Sequence, residues 1–155
     1  MKTSLVSFLC TLYILKLHIV NLEIVNAMAF HNILGKQGED EASYYLLKHD
    51  YRILERNWQG QDCEVDIIAD YYGEVVFVEV KTRSNTDYAL PEDAVDANRM
   101  YRLSRAAEEY LCRNGLTKHP YRFDILALDG IMPPFQIRHI QSAFGLKPKK
   151  HYPKF

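Results

Sequence analysis

Three cysteines in 155 residues, Cys10, Cys63 and Cys112, are too few and too scattered for a disulfide framework, and no CxxC pair marks a structural zinc. They read as buried or incidental thiols, and a reducing, cytoplasmic setting is expected. An excess of charge of one sign is missing as well. With 19 basic and 20 acidic residues the formal net charge is -1, which excludes a generally cationic nucleic-acid coat. Any contact with a polyanion must be made by a local patch that offsets an acidic site. The six histidines show no HExxH or other ligand spacing, and there is no internal repeat or low-complexity segment.

A long apolar run is also absent. Leu5 to Leu15 is apolar apart from Ser7 and Thr11, but Lys16, His18 and Glu23 follow, so the run is too short to span a bilayer and no membrane partner is expected. Three readings of residues 1–27 compete. Lys2 before the run and Val25, Asn26 and Ala27 after it loosely resemble a secretory signal. Met28 could instead be the true start, with an apolar extension appended upstream, because from Met28 the composition becomes charged and periodic. A helix lying on a membrane or a partner is the third.

What remains is one ordinary domain. The chain is 48% hydrophobic, enough for a single core, and residues 28–142 are expected to form it, followed by a basic tail over 143–155. Between Phe30 and His49, the residues Gly35, Glu39, Ala42 and Leu46 recur at 4-3-4 spacing and share one face of a helix. Tyr51 to Trp58, Cys63 to Asp70 and Glu74 to Thr82 read as strands punctuated by Gly60 and Gly73. Arg83 to Pro91 has no periodicity. Leu103, Ala106, Ala107, Tyr110 and Leu111 then mark an amphipathic helix ended by Asn114 and Gly115. Tyr121 to Asp129 alternates as a strand, and Phe135 to Ile140 adds an edge strand. The fold class is α/β, a mixed sheet with helices packed on it.

The candidate site follows from register. With Tyr72 and Gly73 as the loop pair of a hairpin, opposed residues have numbers that sum to 145. Asp66 then lies across from Glu79 and Glu64 across from Lys81, all on one face, while Val65, Ile67 and Ala69 meet Val76, Val78 and Val80 on the other. Two carboxylates about 5 Å apart repel by roughly 3 kcal/mol at an effective dielectric near 20, so a cation should lie between them. Asp66 and Glu79 suit Mg2+ or Mn2+, because magnesium takes one or two protein carboxylates together with waters and phosphate oxygens. In that arrangement Lys81 positions or helps deprotonate an attacking water, and Glu39 orients water or a second metal. A cross-strand salt bridge to Lys81 accounts for Glu64 without catalysis.

Other residues have two readings each. Arg56 and Arg83, at strand ends, could clamp a phosphate or be solvated surface charges. Arg99, Arg102 and Arg105 could form a basic rim, although any amphipathic helix is charged opposite its apolar stripe. Trp58 could stack on an unpaired base, but burial is the commoner use of a large aromatic. The tail lysines, from Lys147 to Lys154, could add nonspecific DNA affinity or simply be solvated.

Five motifs in order carry a resemblance to a known family. They are Leu34, Gly35, Gly38, Glu39 and Ala42; Arg56, Asn57 and Trp58; Glu64 to Ile68; Phe77 to Arg83; and Arg122, Phe123 and Asp124. From about Met28 to Ile140 the chain resembles the YraN-like family of uncharacterised bacterial proteins, in the restriction-endonuclease-like superfamily with its PD-(D/E)XK signature. The resemblance implies a restriction-endonuclease-like mixed β-sheet core flanked by helices, with Asp66 and Glu79 as metal ligands, Lys81 serving the water and Glu39 in the site, much as in archaeal Holliday-junction resolvases. It also implies a start at Met28. Cys63 stands where that family often has glycine and Arg99 where it often has lysine, which keeps the charge and with it a phosphate contact.

The function expected is a divalent-metal-dependent endonuclease acting on nucleic acid, DNA before RNA, whose small size points to a homodimer or a partner protein. The alternative is a non-catalytic nucleic-acid-binding module of a repair, recombination or uptake complex; fold-level analogy does not decide between them.

Overall fold

In the computed structural model of the chain, residues 3–83 and 96–145 are described. Most of the expected loop from Arg83 to Pro91 and the basic tail lie outside these residues. The elements are α1 (Thr3–Lys48), β1 (Arg52–Gln59), β2 (Glu64–Tyr71), β3 (Glu74–Arg83), α2 (Ala97–Arg113), β4 (Tyr121–Asp129) and β5 (Gln136–Phe144). Helix α1 is longer than its periodic stretch and runs through the expected boundary at residue 28. At the other end β5 continues two residues beyond the expected domain end at 142.

The chain divides into two compact units between Gly35 and Lys36. In the first, Leu22, Ile24, Val25 and Met28 are exposed. Among the described residues, no helix is long and apolar enough to cross a membrane.

The second unit is a five-stranded mixed sheet in the order β1-β2-β3-β4-β5, antiparallel except for β3 and β4. A parallel neighbour needs a crossover, and α2 supplies it between β3 and β4. Each sheet face has its own core. On the α2 side, Leu103, Ala106, Ala107, Tyr110 and Leu111 pack on Ile68, Phe77, Phe123 and Ile125. On the other, Ala42 and Leu46 of α1 pack on Ile67, Val76, Val78, Leu126 and Leu128. Helix α1 can lie this close because Gly38 meets β3: a Cβ there would stand 1.8 Å from Thr82 Oγ1.

The hairpin of β2 and β3 has the expected register from Ile67 opposite Val78 to Tyr71 opposite Glu74. Tyr72 (φ 51°) and Gly73 (φ 91°) are both left-handed, the requirement of the two-residue turn whose twist matches the strands.

In this hairpin alternation fails at Val65. Val65 shares the α2-side layer with Ile68, while Ile67 and Ala69 lie in the other, so Val65 is not on the face assigned to it by period two. Opposite this stretch on β1 stands Asn57. It lies between Arg56 and Trp58, which pair with Ile67 and Val65, and its φ of 51° turns β1 where it passes Asp66.

Candidate active site

The β2–β3 ladder ends at Ile67 and Val78, one step before Asp66 and Glu79. There Asp66 uses its side chain instead of its backbone: its Oδ2 accepts the N–H of Val80 at 2.7 Å. Glu79 follows Val75 and Phe77 on the β3 face that carries α2, and it is 1% exposed. A charged side chain so deeply buried must be paired. It is held twice, by Lys81 Nζ at 2.5 Å from Oε1 and by Arg99 Nη2 at 2.6 Å from Oε2.

Arg99 is the cation between the carboxylates. Its Nε donates to both oxygens of Glu79 at 3.0 and 3.1 Å, its Nη2 donates to the Glu64 carbonyl oxygen at 3.1 Å, and that same nitrogen is 3.8 Å from Asp66 Oδ1. The backbone holds it in place: Asp96 caps α2 by accepting the Arg99 N–H at 2.7 Å, which keeps the Asp96 carboxyl below the usual range. Burial works against the guanidinium's charge, but its hydrogen bonds to Glu79 outweigh that, and it holds its proton more tightly than a free arginine.

This corrects the expected partner of Lys81 and shows where Arg99 rests. Lys81 does not face Glu64 but pairs with Glu79 on its own strand, and Glu64 takes a hydrogen bond from Gln59 Nε2 at 2.5 Å. Arg99, expected at a phosphate, points its guanidinium inward. Nothing in local sequence marks this, since the partners lie 20 and 35 residues away.

Lys81 and Arg99 balance the two carboxylates in formal charge, yet burial still disfavours the ionised form of Asp66. Burial first, and the neighbouring Glu79 second, push the Asp66 carboxyl up to about 7, against the Val80 hydrogen bond and the two cations. Two neighbouring oxygen-donor carboxylates are the kind of ligand a hard divalent cation takes while keeping most of its waters. Among the described residues, no group of three or more His, Cys, Asp and Glu forms a fuller ligand set.

Among the described residues Glu39 touches none of Asp66, Glu79 and Lys81; its side-chain hydrogen bond is to β1. Half-buried on α1, it accepts a hydrogen bond at 3.0 Å from Nδ2 of Asn57, the residue that passes Asp66. Arg56 is engaged with Asp40 at 2.6 Å, and Arg83 is the last residue of β3. Arg105 reaches Asp62 at 3.4 Å, and Trp58 is half-buried edge-on to Tyr110, so packing is its role. Cys63 is half-buried and Cys112 exposed, both as free thiols.

Sequence reasoning missed a second polar cluster on the opposite sheet face. Asp124, 0% exposed, accepts from Arg122 Nε at 3.0 Å and from the Ser142 N–H at 2.9 Å, with His139 Nε2 at 2.9 Å. Arg122 also binds Glu74 and the Tyr51 hydroxyl. Burial would raise the Asp124 carboxyl, but these partners hold it below the ordinary carboxylate range. Arg122 and Asp124 at i and i+2 on one strand were the available signal; His139 becomes a partner only through β4–β5 pairing.

Residues 38–128 match the model of the uncharacterised protein family UPF0102. A UPF0102 protein of Bacteroides fragilis is 49% identical over 76% of this chain and 96% of its own length. One of Phocaeicola vulgatus is 45% identical over the same shares, and one of Persephonella marina is 38% identical over 76% of this chain and 97% of its own.

Proposed function

We infer that the chain, which belongs to the uncharacterised protein family UPF0102, is a divalent-metal-dependent endonuclease hydrolysing DNA phosphodiester bonds. The observation that carries this reading is the convergence of buried Glu79, Asp66 and Lys81 where the central hairpin opens. Paired carboxylates repel a polyanion, so a surface that only bound nucleic acid would have no use for them. Asp66 and Glu79 would hold Mg2+ or Mn2+, which when bound supplies Lewis acidity toward a phosphoryl oxygen and acidity to a bound water.

The chain's own residues do the remaining work. Lys81, fixed beside Glu79, orients the water and offsets negative charge developing on phosphorus-bound oxygens. Glu39, oriented by Asn57, accepts a hydrogen bond from that water or a second one. Arg83 and Arg56 lead the backbone toward the hairpin. Arrangement as a homodimer would present two such sites to two strands.

One observation favours the non-catalytic alternative: Glu79 already has its charge met by Arg99. Cleavage decides. The full chain is incubated with labelled linear, single-stranded, flap and four-way-junction DNAs in Mg2+ or Mn2+, beside Asp66→Ala and Lys81→Ala. Metal-dependent cleavage lost in both variants is expected; tight binding without cleavage of any substrate establishes the binding module.

A further inference from the structure

Glu79 offers its two oxygens to three N–H contacts from Arg99, and the same guanidinium leans on Asp66 at 3.8 Å. The cluster of Asp66, Glu79, Lys81 and Arg99 is formally neutral as it stands. A divalent cation seated on both carboxylates would need lone pairs that Arg99 now occupies, and would leave two surplus positive charges. Lys81 is a single point charge on one oxygen and, among the described residues, has no second ion pair. Arg99 is the group whose fork competes with the metal over both carboxylates, and its planar donors match a phosphate as well as a carboxylate.

We propose that Arg99 is an exchangeable plug, which neutralises Glu79 and Asp66 in the metal-free protein and is released by a divalent cation to take a phosphate of the nucleic-acid substrate. The proposal rests on the metal-site reading above and adds a coupling to it. Metal entry frees a phosphate ligand, and a bound phosphate that draws Arg99 away frees the carboxylates, so metal and DNA must favour each other's binding by the same factor. A permanent structural ion pair would have the opposite signature, because losing it would disorder Glu79 and weaken any metal site.

Two measurements on the full chain test this. Free Mn2+ is titrated by electron paramagnetic resonance in wild type, Arg99→Met, Arg99→Lys and Asp66→Asn, with folding followed by circular dichroism. A fluorescent DNA duplex is then titrated by anisotropy in chelator and in Ca2+. The expected result is Mn2+ bound about tenfold more tightly by Arg99→Met than by wild type, with Ca2+ enhancing DNA binding several-fold more in wild type than in Arg99→Met. Should Arg99→Met fail to fold, Arg99→Lys carries the test, with a several-fold gain in Mn2+ affinity expected because one ammonium replaces the fork.

Equal or weaker Mn2+ binding by the folded variants overturns the plug. If wild type then still binds Mn2+ and Asp66→Asn does not, the metal site survives without it. No Mn2+ binding by wild type or either Arg99 variant overturns both.

Discussion

The Asp66 carboxylate takes the main-chain N–H of Val80 at 2.7 Å, where a backbone carbonyl would otherwise have continued the hairpin. A carboxylate is thereby built into the sheet while burial and Glu79 raise its affinity for a proton to about 7.

Stability should therefore depend on pH through Asp66. Its folded value lies above the unfolded one near 4, so its contribution is full below about 4 and is lost as pH rises to about 7. Compared with wild type, Asp66→Asn should gain stability steadily over that window, by a few kcal/mol at most at about 1.4 kcal/mol per unit. Urea unfolding at pH 5 and pH 8 measures it; parallel profiles would show that Asp66 titrates normally. Adding Mg2+ at pH 8 should stabilise wild type and leave Asp66→Asn unchanged.

Asp124 has the opposite sign. Its folded value is depressed, so its contribution is present above about 4 and is lost as pH falls through the lower folded value. Asp124→Ala deprives half-buried Arg122 of a partner and should cost about 2–3 kcal/mol in urea unfolding at pH 7. A loss under 1 kcal/mol would mean that Glu74 and Tyr51 alone satisfy the guanidinium.

Gly38→Ala sets helix propensity against contact. Alanine should gain about 1 kcal/mol as a helix former, but its Cβ would overlap Thr82 Oγ1 and push α1 from β3. Overpacking at about 1–3 kcal/mol should win, and Thr82→Ala in the same chain should recover part of the loss. A more stable Gly38→Ala would refute the close approach.

Asn57 has a backbone role and a side-chain role that two substitutions separate. Asn57→Gly keeps the positive φ and loses the hydrogen bond to Glu39; Asn57→Ala loses both and should be about 1 kcal/mol less stable than the glycine variant. If Glu39 serves the reaction, cleavage by Asn57→Gly should fall toward that of Glu39→Gln with its melting temperature retained. Wild-type cleavage in Asn57→Gly would remove Asn57 from the positioning of Glu39.

The hairpin register was legible because its causes are local: a Tyr72–Gly73 pair that tolerates positive φ, and alternating apolar residues on either side. Extending that register drew attention to Asp66, Glu79 and Lys81. The pairings among them were not legible. Lys81 joined Glu79 rather than Glu64 because the strands part beyond Ile67, and beyond that same point Val65 departs from simple alternation. Arg99 and His139 meet their carboxylates only through tertiary packing, which no periodicity encodes.

The crossover that makes β3 and β4 parallel also decides when the hairpin can become stable. Glu79 enters the core on β3, but the guanidinium that shields it arrives with α2, later in the chain. A chain emerging from the ribosome with only β1 to β3 available would have either to keep Glu79 wetted or to bury it with Lys81 alone. The carboxylate thus delays consolidation of the sheet until its second half has been made, tying the two halves into one cooperative folding event.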